Sequence, residues 1–149
     1  MSKKAEIHLY TDGSYHSSSK RGGYASIIPE LGQIVCGNDT NTTNNKMELQ
    51  AVISGLKHLD ITDRHVVVHS DSRYITDAFN KRWLSNWKKN GWKTQNGQDV
   101  KNKEEWDSLL EEVSKHKKVK FEWVRGHNGD TFNEAVDDLA NTICKYKGK

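Results

Sequence analysis

Long apolar runs, paired cysteines and proline are all scarce in this 149-residue chain. No stretch approaches the ~18 apolar residues of a membrane span, so a helical membrane protein is excluded and no membrane partner is expected. Met1-Ser2-Lys3-Lys4 leads into polar–apolar alternation rather than the apolar stretch of a signal peptide, which makes a cytoplasmic protein the expectation. The only two cysteines, Cys36 and Cys144, lie far apart with no CxxC partner. That spacing excludes a disulfide framework or a zinc ribbon and leaves two reduced thiols. Internal repeats and low-complexity tracts are missing too, and five Trp, five Tyr and three Phe accompany clear apolar periodicities, which argues against disorder. A chain of about 150 residues buries roughly 68–70% of its extended surface, enough for one core without staples. One domain spanning residues 1–149 is expected, with no obligate protein partner and a monomer as the default.

What is present is an uneven distribution of charge. The net charge is +3, yet residues 81–103 carry seven Lys or Arg against Asp99 alone, a local balance of +6, so the remainder is −3. The same segment holds Trp83, Trp87 and Trp92, three of five tryptophans. Cations can meet phosphates while flat rings pack on sugars or bases, so the segment fits a polyanion-binding arm. A solvated basic face pinned by aromatic core anchors is the alternative.

Apolar alternation at Ile7 and Leu9 reads as a strand that runs into a turn at Thr11-Asp12-Gly13-Ser14. Tyr24 to Ile28, ended by Pro29, and Gln33 to Gly37 read as two more strands, joined by turns short enough for antiparallel hairpins. Leu49, Val52, Ile53 and Leu56 then fall at the spacing of a helix buried on one side. His65 to His69 resembles a buried central strand. Ser72 to Phe79 reads as a short helix, Glu104 to His116 as a longer one, Val119 to Trp123 as a fifth strand, and Val136 to Ile143 as a final helix. This order predicts an α/β fold with a five-stranded mixed sheet, an antiparallel meander followed by parallel strands added through right-handed crossovers. The basic segment is an excursion from it.

Carboxylates stand at the ends of these elements. Asp12 terminates the first strand and Asp71 follows the fourth, where sites of open α/β sheets are assembled. On a helical wheel Glu48 lies about 90° from the centre of its buried stripe, at the edge of the buried face; Asp137 and Asp138 lie about 110° and 150° away, so Asp137 is the more inward-facing. Each residue also has an ordinary structural use: Asp12 as a turn residue, Asp71 as a helix cap, Glu48 in a capping box with Asn45, Asp137 as a solvated helix charge. Four carboxylates converging at one sheet edge would repel unless cations sat among them, and hard oxygen ligands suit Mg²⁺ or Mn²⁺. Such a cluster beside a basic aromatic arm points to phosphodiester chemistry, in which two ions activate a water and stabilise the departing oxygen. His127 is a candidate proton shuttle, since an unperturbed imidazole titrates near ~6.5.

Seven blocks in order, covering essentially the whole chain, resemble ribonuclease HI, the type 1 ribonuclease H of bacteria. They are Tyr10-Thr-Asp-Gly-Ser14, Gly22-Gly-Tyr24, Thr42-Thr-Asn-Asn-Lys-Met-Glu-Leu49, Ser70-Asp-Ser-Arg-Tyr74, Trp87-Lys-Lys-Asn-Gly-Trp-Lys-Thr94, Val124-Arg-Gly-His-Asn-Gly129 and Asn133-Glu-Ala-Val-Asp-Asp-Leu-Ala140. The resemblance implies endonucleolytic hydrolysis of the RNA strand of RNA/DNA hybrids with little sequence specificity, leaving 5′-phosphate and 3′-hydroxyl ends. It implies that Asp12, Glu48, Asp71 and Asp137 hold two Mg²⁺ ions, with His127 assisting proton transfer or product release. Asn44 and Asn45 would read bases and 2′-hydroxyls in the minor groove, the group that separates RNA from DNA. Thr43 and Asn86 would seat a DNA-strand phosphate. Trp83, Trp87, Lys88, Lys89, Trp92 and Lys93 would belong to the family's basic protrusion, the tryptophans anchoring or lining a DNA-binding channel. Three departures stand out: Asn41 where bacterial members often carry Arg, Arg73 where Gln is common, and Tyr15 to Arg21 in place of a Gly- and Pro-rich turn. The alternative function is a noncatalytic hybrid-binding module, which loss of a carboxylate would favour; all four are retained.

Overall fold

The computed structural model describes residues 6–59, 62–94, 96–125 and 131–145, the side chains of 62–64 and 145 excepted. Three strands come first, β1 (Ile7–His16), β2 (Arg21–Ile28) and β3 (Gln33–Asp39), with a 3₁₀ turn at Pro29–Leu31. There follow α1 (Asn44–Leu59), β4 (Thr62–Ser70), α2 (Arg73–Asn80), α3 (Trp83–Lys89), α4 (Lys103–Ser114), β5 (His116–Trp123) and α5 (Thr131–Lys145). The sheet order is β3-β2-β1-β4-β5. The first three strands are antiparallel, and β4 and β5 extend the sheet in parallel, as the element order predicts.

Strand pleating sends alternate residues of β1 to opposite faces. Ile7 and Leu9 join Leu49, Val52, Leu56, Val66, Val68, Trp106 and Leu109 in the main core under α1, α2 and α4. On the other face Tyr10 packs with Ala25, Val136 and Ala140 beneath α5. That helix lies over β1, β2 and β3.

Several boundaries differ from expectation. The Thr11-Asp12-Gly13-Ser14 segment is not a turn: β1 runs on to His16, and its residues 10–16 pair with β2 in an unbroken antiparallel register. The chain reverses at 17–20 instead. Asp12 therefore does not end the strand, but it does lie past the end of a ladder. The parallel pairing of β1 with β4 stops at Tyr10↔His69, so Asp12 and Asp71 each stand two residues beyond the last rung. The helix expected to reach His116 stops at Ser114, and His116 opens β5. Ser72 is the N-cap of α2 rather than its first residue. The basic segment contains a helix, α3, that the sequence reading did not resolve.

Candidate functional site

Three carboxylates from three elements meet at the end of the β1–β4 ladder. Single oxygens of Asp12, Glu48 and Asp71 all lie within 4.8 Å of one another. Asp12 is 3% and Glu48 6% exposed, while Asp71 is half-buried. The ordinary structural uses of these residues are filled by others. Ser72 caps α2, its Oγ accepting from Ile75 N at 3.3 Å, which frees Asp71 of that duty. Thr43 caps α1, its Oγ1 accepting from Lys46 N at 3.2 Å, so Glu48 serves no capping box. Glu48 turns toward β1, where Gly13 N–H is shared between Asp12 Oδ1 and Glu48 Oε1, each at 3.0 Å.

Gly13 is the residue that brings α1 onto the strand. A Cβ there would lie 2.5 Å from Glu48 N and 2.6 Å from Met47 C, so only glycine permits this approach. The sequence marked Gly13 as a turn glycine; close packing is its actual use.

Desolvation dominates the electrostatics. Burial, then the neighbouring Glu48 charge, a hydrogen bond with Asp137 and the charges of Asp71 and Asp137 push the Asp12 carboxyl up to about 10. Glu48 is raised well above the usual carboxylate range by burial and by Asp71, against the lowering effect of Gly13 N–H. Among the described residues neither Asp12 nor Glu48 has a Lys or Arg ion-pair partner. Buried carboxylates that raise one another's affinity for protons are a set that a bound cation would stabilise. Their oxygen-only chemistry fits a hard divalent ion. Asp137, half-buried on α5, stands against this group by its hydrogen bond to Asp12, whereas Asp138 is exposed. The wheel preference between the two matches the structure. His127 lies outside the described residues.

Asn44 and Asn45 are exposed in the first turn of α1, the turn that leads to Glu48. The next residue, Lys46, joins Asn102, Lys103, Glu104 and Glu105 around a cleft of about 310 Å³, so this turn adjoins the base of the basic segment. Within that segment the tryptophans form a chain: Trp83 to Trp87 at 6.3 Å, Trp87 to Trp92 at 6.2 Å, and Trp87 edge-on to Trp106 at 5.6 Å between ring centroids. Trp106 is fully buried, and its Nε1–H donates to Tyr74 Oη at 3.0 Å, an oxygen that also accepts from Asn102 Nδ2. The anchored-face reading of the segment matches the structure: the rings anchor it, and the charges stay in water. Lys88, Lys89 and Asn86 are exposed; Lys93 is also exposed but pairs with Asp99. Trp83, Asn86, Trp87, Asn90, Lys93 and Thr94 line most of a cavity of about 610 Å³.

Tyr74 and Trp123 were missed in the sequence. Trp123, at the end of β5, is 38% exposed and donates its Nε1–H to Asp71 O at 3.2 Å. The Arg73 guanidinium lies over its ring at 4.0 Å. The available signal was one aromatic at a strand's C-terminal end, ambiguous between core and site. Asn41 has a left-handed backbone, φ 53°, a conformation asparagine tolerates better than arginine would.

Comparison with known proteins places this geometry. The RNase H family model matches residues 4–145. A Ribonuclease H of Caldicellulosiruptor saccharolyticus is 42% identical over 142 residues, covering 94% of this chain and 97% of that one. A Ribonuclease H of a Wolbachia species from Drosophila simulans is 43% identical, with 94% and 95% covered. The crystal structure of LC9-RNase H1, described as a type 1 RNase H with the type 2 active-site motif, superposes with a TM-score of 0.78 at 30% identity, covering 97% of this chain and 74% of that one.

Proposed function

The chain belongs to the ribonuclease H family, and on that footing we propose that it cuts the RNA strand of RNA/DNA hybrids internally, leaving 5′-phosphate and 3′-hydroxyl ends. The observation that carries this reading is the convergence of Asp12, Glu48 and Asp71 within 4.8 Å, with Asp137 on Asp12. A hybrid-binding module without catalysis has no use for buried carboxylates that repel one another.

Asp12, Glu48, Asp71 and Asp137 would hold two Mg²⁺ ions, with Mn²⁺ as a substitute. Bound there, the ions supply activation of the attacking water and neutralisation of charge on the departing 3′-oxygen. The protein's own part is to fix the ligands. Gly13 N–H orients two carboxylates, Ser72 leaves Asp71 free of capping, and Asp137 approaches from the opposite layer. Exposed Asn44 and Asn45 read the minor groove, where the 2′-hydroxyl is presented. Thr43 and Asn86 seat a DNA-strand phosphate. The arm from Lys81 to Lys103, through Trp83, Trp87, Lys88, Lys89, Trp92 and Lys93, grips the DNA strand by position and charge rather than base sequence. His127 assists proton transfer or product release. The protein works as one domain and as a monomer, in the cytoplasm.

The test is incubation with labelled hybrid, single-stranded RNA, duplex RNA and duplex DNA, with Mg²⁺ or with chelator. Internal cuts in hybrid RNA alone, abolished by chelation and by Asp12→Asn, are expected. Equal cutting of single-stranded RNA overturns the hybrid-specific reading, and undiminished cutting by Asp12→Asn overturns the carboxylate assignment.

A further inference from the structure

We infer that Arg73 binds a phosphate of the RNA strand adjoining the bond that is cut; this rests on the reading of the site given above. Arg73 is the first residue of α2 and two residues from Asp71. Beside a group of anions, a mobile arginine is expected to collapse into an ion pair. Here the centre of its guanidinium lies over the Trp123 ring, 4.0 Å from the centroid, and among the described residues it forms no ion pair with a carboxylate. Trp123 is in turn held by its Nε1–H to Asp71 O at 3.2 Å. The main chain of Asp71 thus positions an indole, and the indole positions a cation.

The indole takes one side of the guanidinium, and among the described residues nothing accepts from its N–H edge. That edge matches two oxygens of a phosphate in a bidentate contact, which lysine cannot reproduce. Arg73 is exposed, and the nearby carboxylates mark where the RNA backbone must pass. A polyanion approaching that cluster meets repulsion from the carboxylates, and a fixed cation alongside offsets it.

The experiment uses hybrids whose RNA strand carries one uncharged methylphosphonate linkage, with the adjoining 2′-hydroxyl methylated to keep the strand intact. Dissociation constants over a range of salt are measured for the wild type, Arg73→Gln and Arg73→Lys, with KM and kcat on unmodified hybrid. Arg73→Gln is expected to weaken binding several-fold and to lower the slope of log K against log salt by about 0.7–0.9, one phosphate contact. Its KM rises more than its kcat falls. The wild type loses a similar factor when one linkage near the cut is neutralised, and Arg73→Gln loses nothing further at that linkage. Arg73→Lys keeps the salt slope but binds more weakly. Additive losses at every RNA linkage overturn the inference, as does an unchanged slope with a fallen kcat, which makes Arg73 a prop for Trp123 and Asp71. Failure here with hybrid-specific cleavage intact sinks this contact alone; loss of hybrid specificity in the wild type sinks the functional reading.

Discussion

Gly13 carries more of the site than its size indicates. Its N–H joins two carboxylates, and its missing side chain lets the start of α1 sit against β1. Gly13→Ala forces Met47 and Glu48 outward. Hybrid-cleavage assays are expected to show kcat/KM reduced at least ~10-fold, and a thermal melt a lower Tm, in line with the ~1–3 kcal/mol typical of overpacking. Asp12→Asn has the opposite effect on stability. A buried carboxylate among carboxylates is costly to ionise, and an amide of the same shape removes that cost. The variant is expected to be inactive yet more stable than the metal-free wild type at pH 8, by on the order of 1–3 kcal/mol, the scale of an uncompensated buried polar group. Urea unfolding in chelator measures it.

The arm shows how an element can be both anchored and free. Trp87 meets the buried Trp106, while Lys88 and Lys89 on the same helix remain in solvent. Trp106→Ala is expected to lower stability by about 3–5 kcal/mol, read by denaturant unfolding, because a fully buried indole leaves a large void. Lys88→Ala with Lys89→Ala is expected to raise KM and flatten its salt dependence, with the loss falling on KM rather than kcat. The elements were legible where periodicity was long, as in α1 with Leu49, Val52, Ile53 and Leu56. They were not where one residue type serves two ends. Asp12-Gly13 looked like a turn because the same dipeptide makes turns; the cue that it stays extended, pairing with Ala25 and Tyr24 across the sheet, is non-local. His116 looked helical because a one-residue loop separates α4 from β5. That Asp12, Glu48 and Asp71 fall at neighbouring element ends was legible from their positions, whereas Trp123 and Tyr74 acquire their partners only through contacts distant in sequence.

Taken as a whole, the molecule separates a +6 arm from an acidic remainder, and its stability should respond to pH accordingly. Asp12 is raised in the folded state from 3.8 to about 10, so its contribution is fully present below the unfolded value and is lost as pH climbs toward the folded one. Glu48 acts in the same direction. The metal-free protein is therefore expected to lose stability between pH 5 and 9, and saturating Mg²⁺ to flatten that slope by holding both groups ionised; unfolding curves with and without chelator decide it. The sheet itself divides at the site. From Ile7 to Leu9 the strand β1 pairs with β4 alone and at Tyr10 with both neighbours; beyond it, β2 alone holds the strand while β4 gives way to α2. Amide exchange should register that seam as a handover, alternate amides protected through β4 up to Tyr10 and through β2 from Thr11 to His16. Asp12 stands just past the handover, held by β2 on one flank and facing the width of one missing strand on the other.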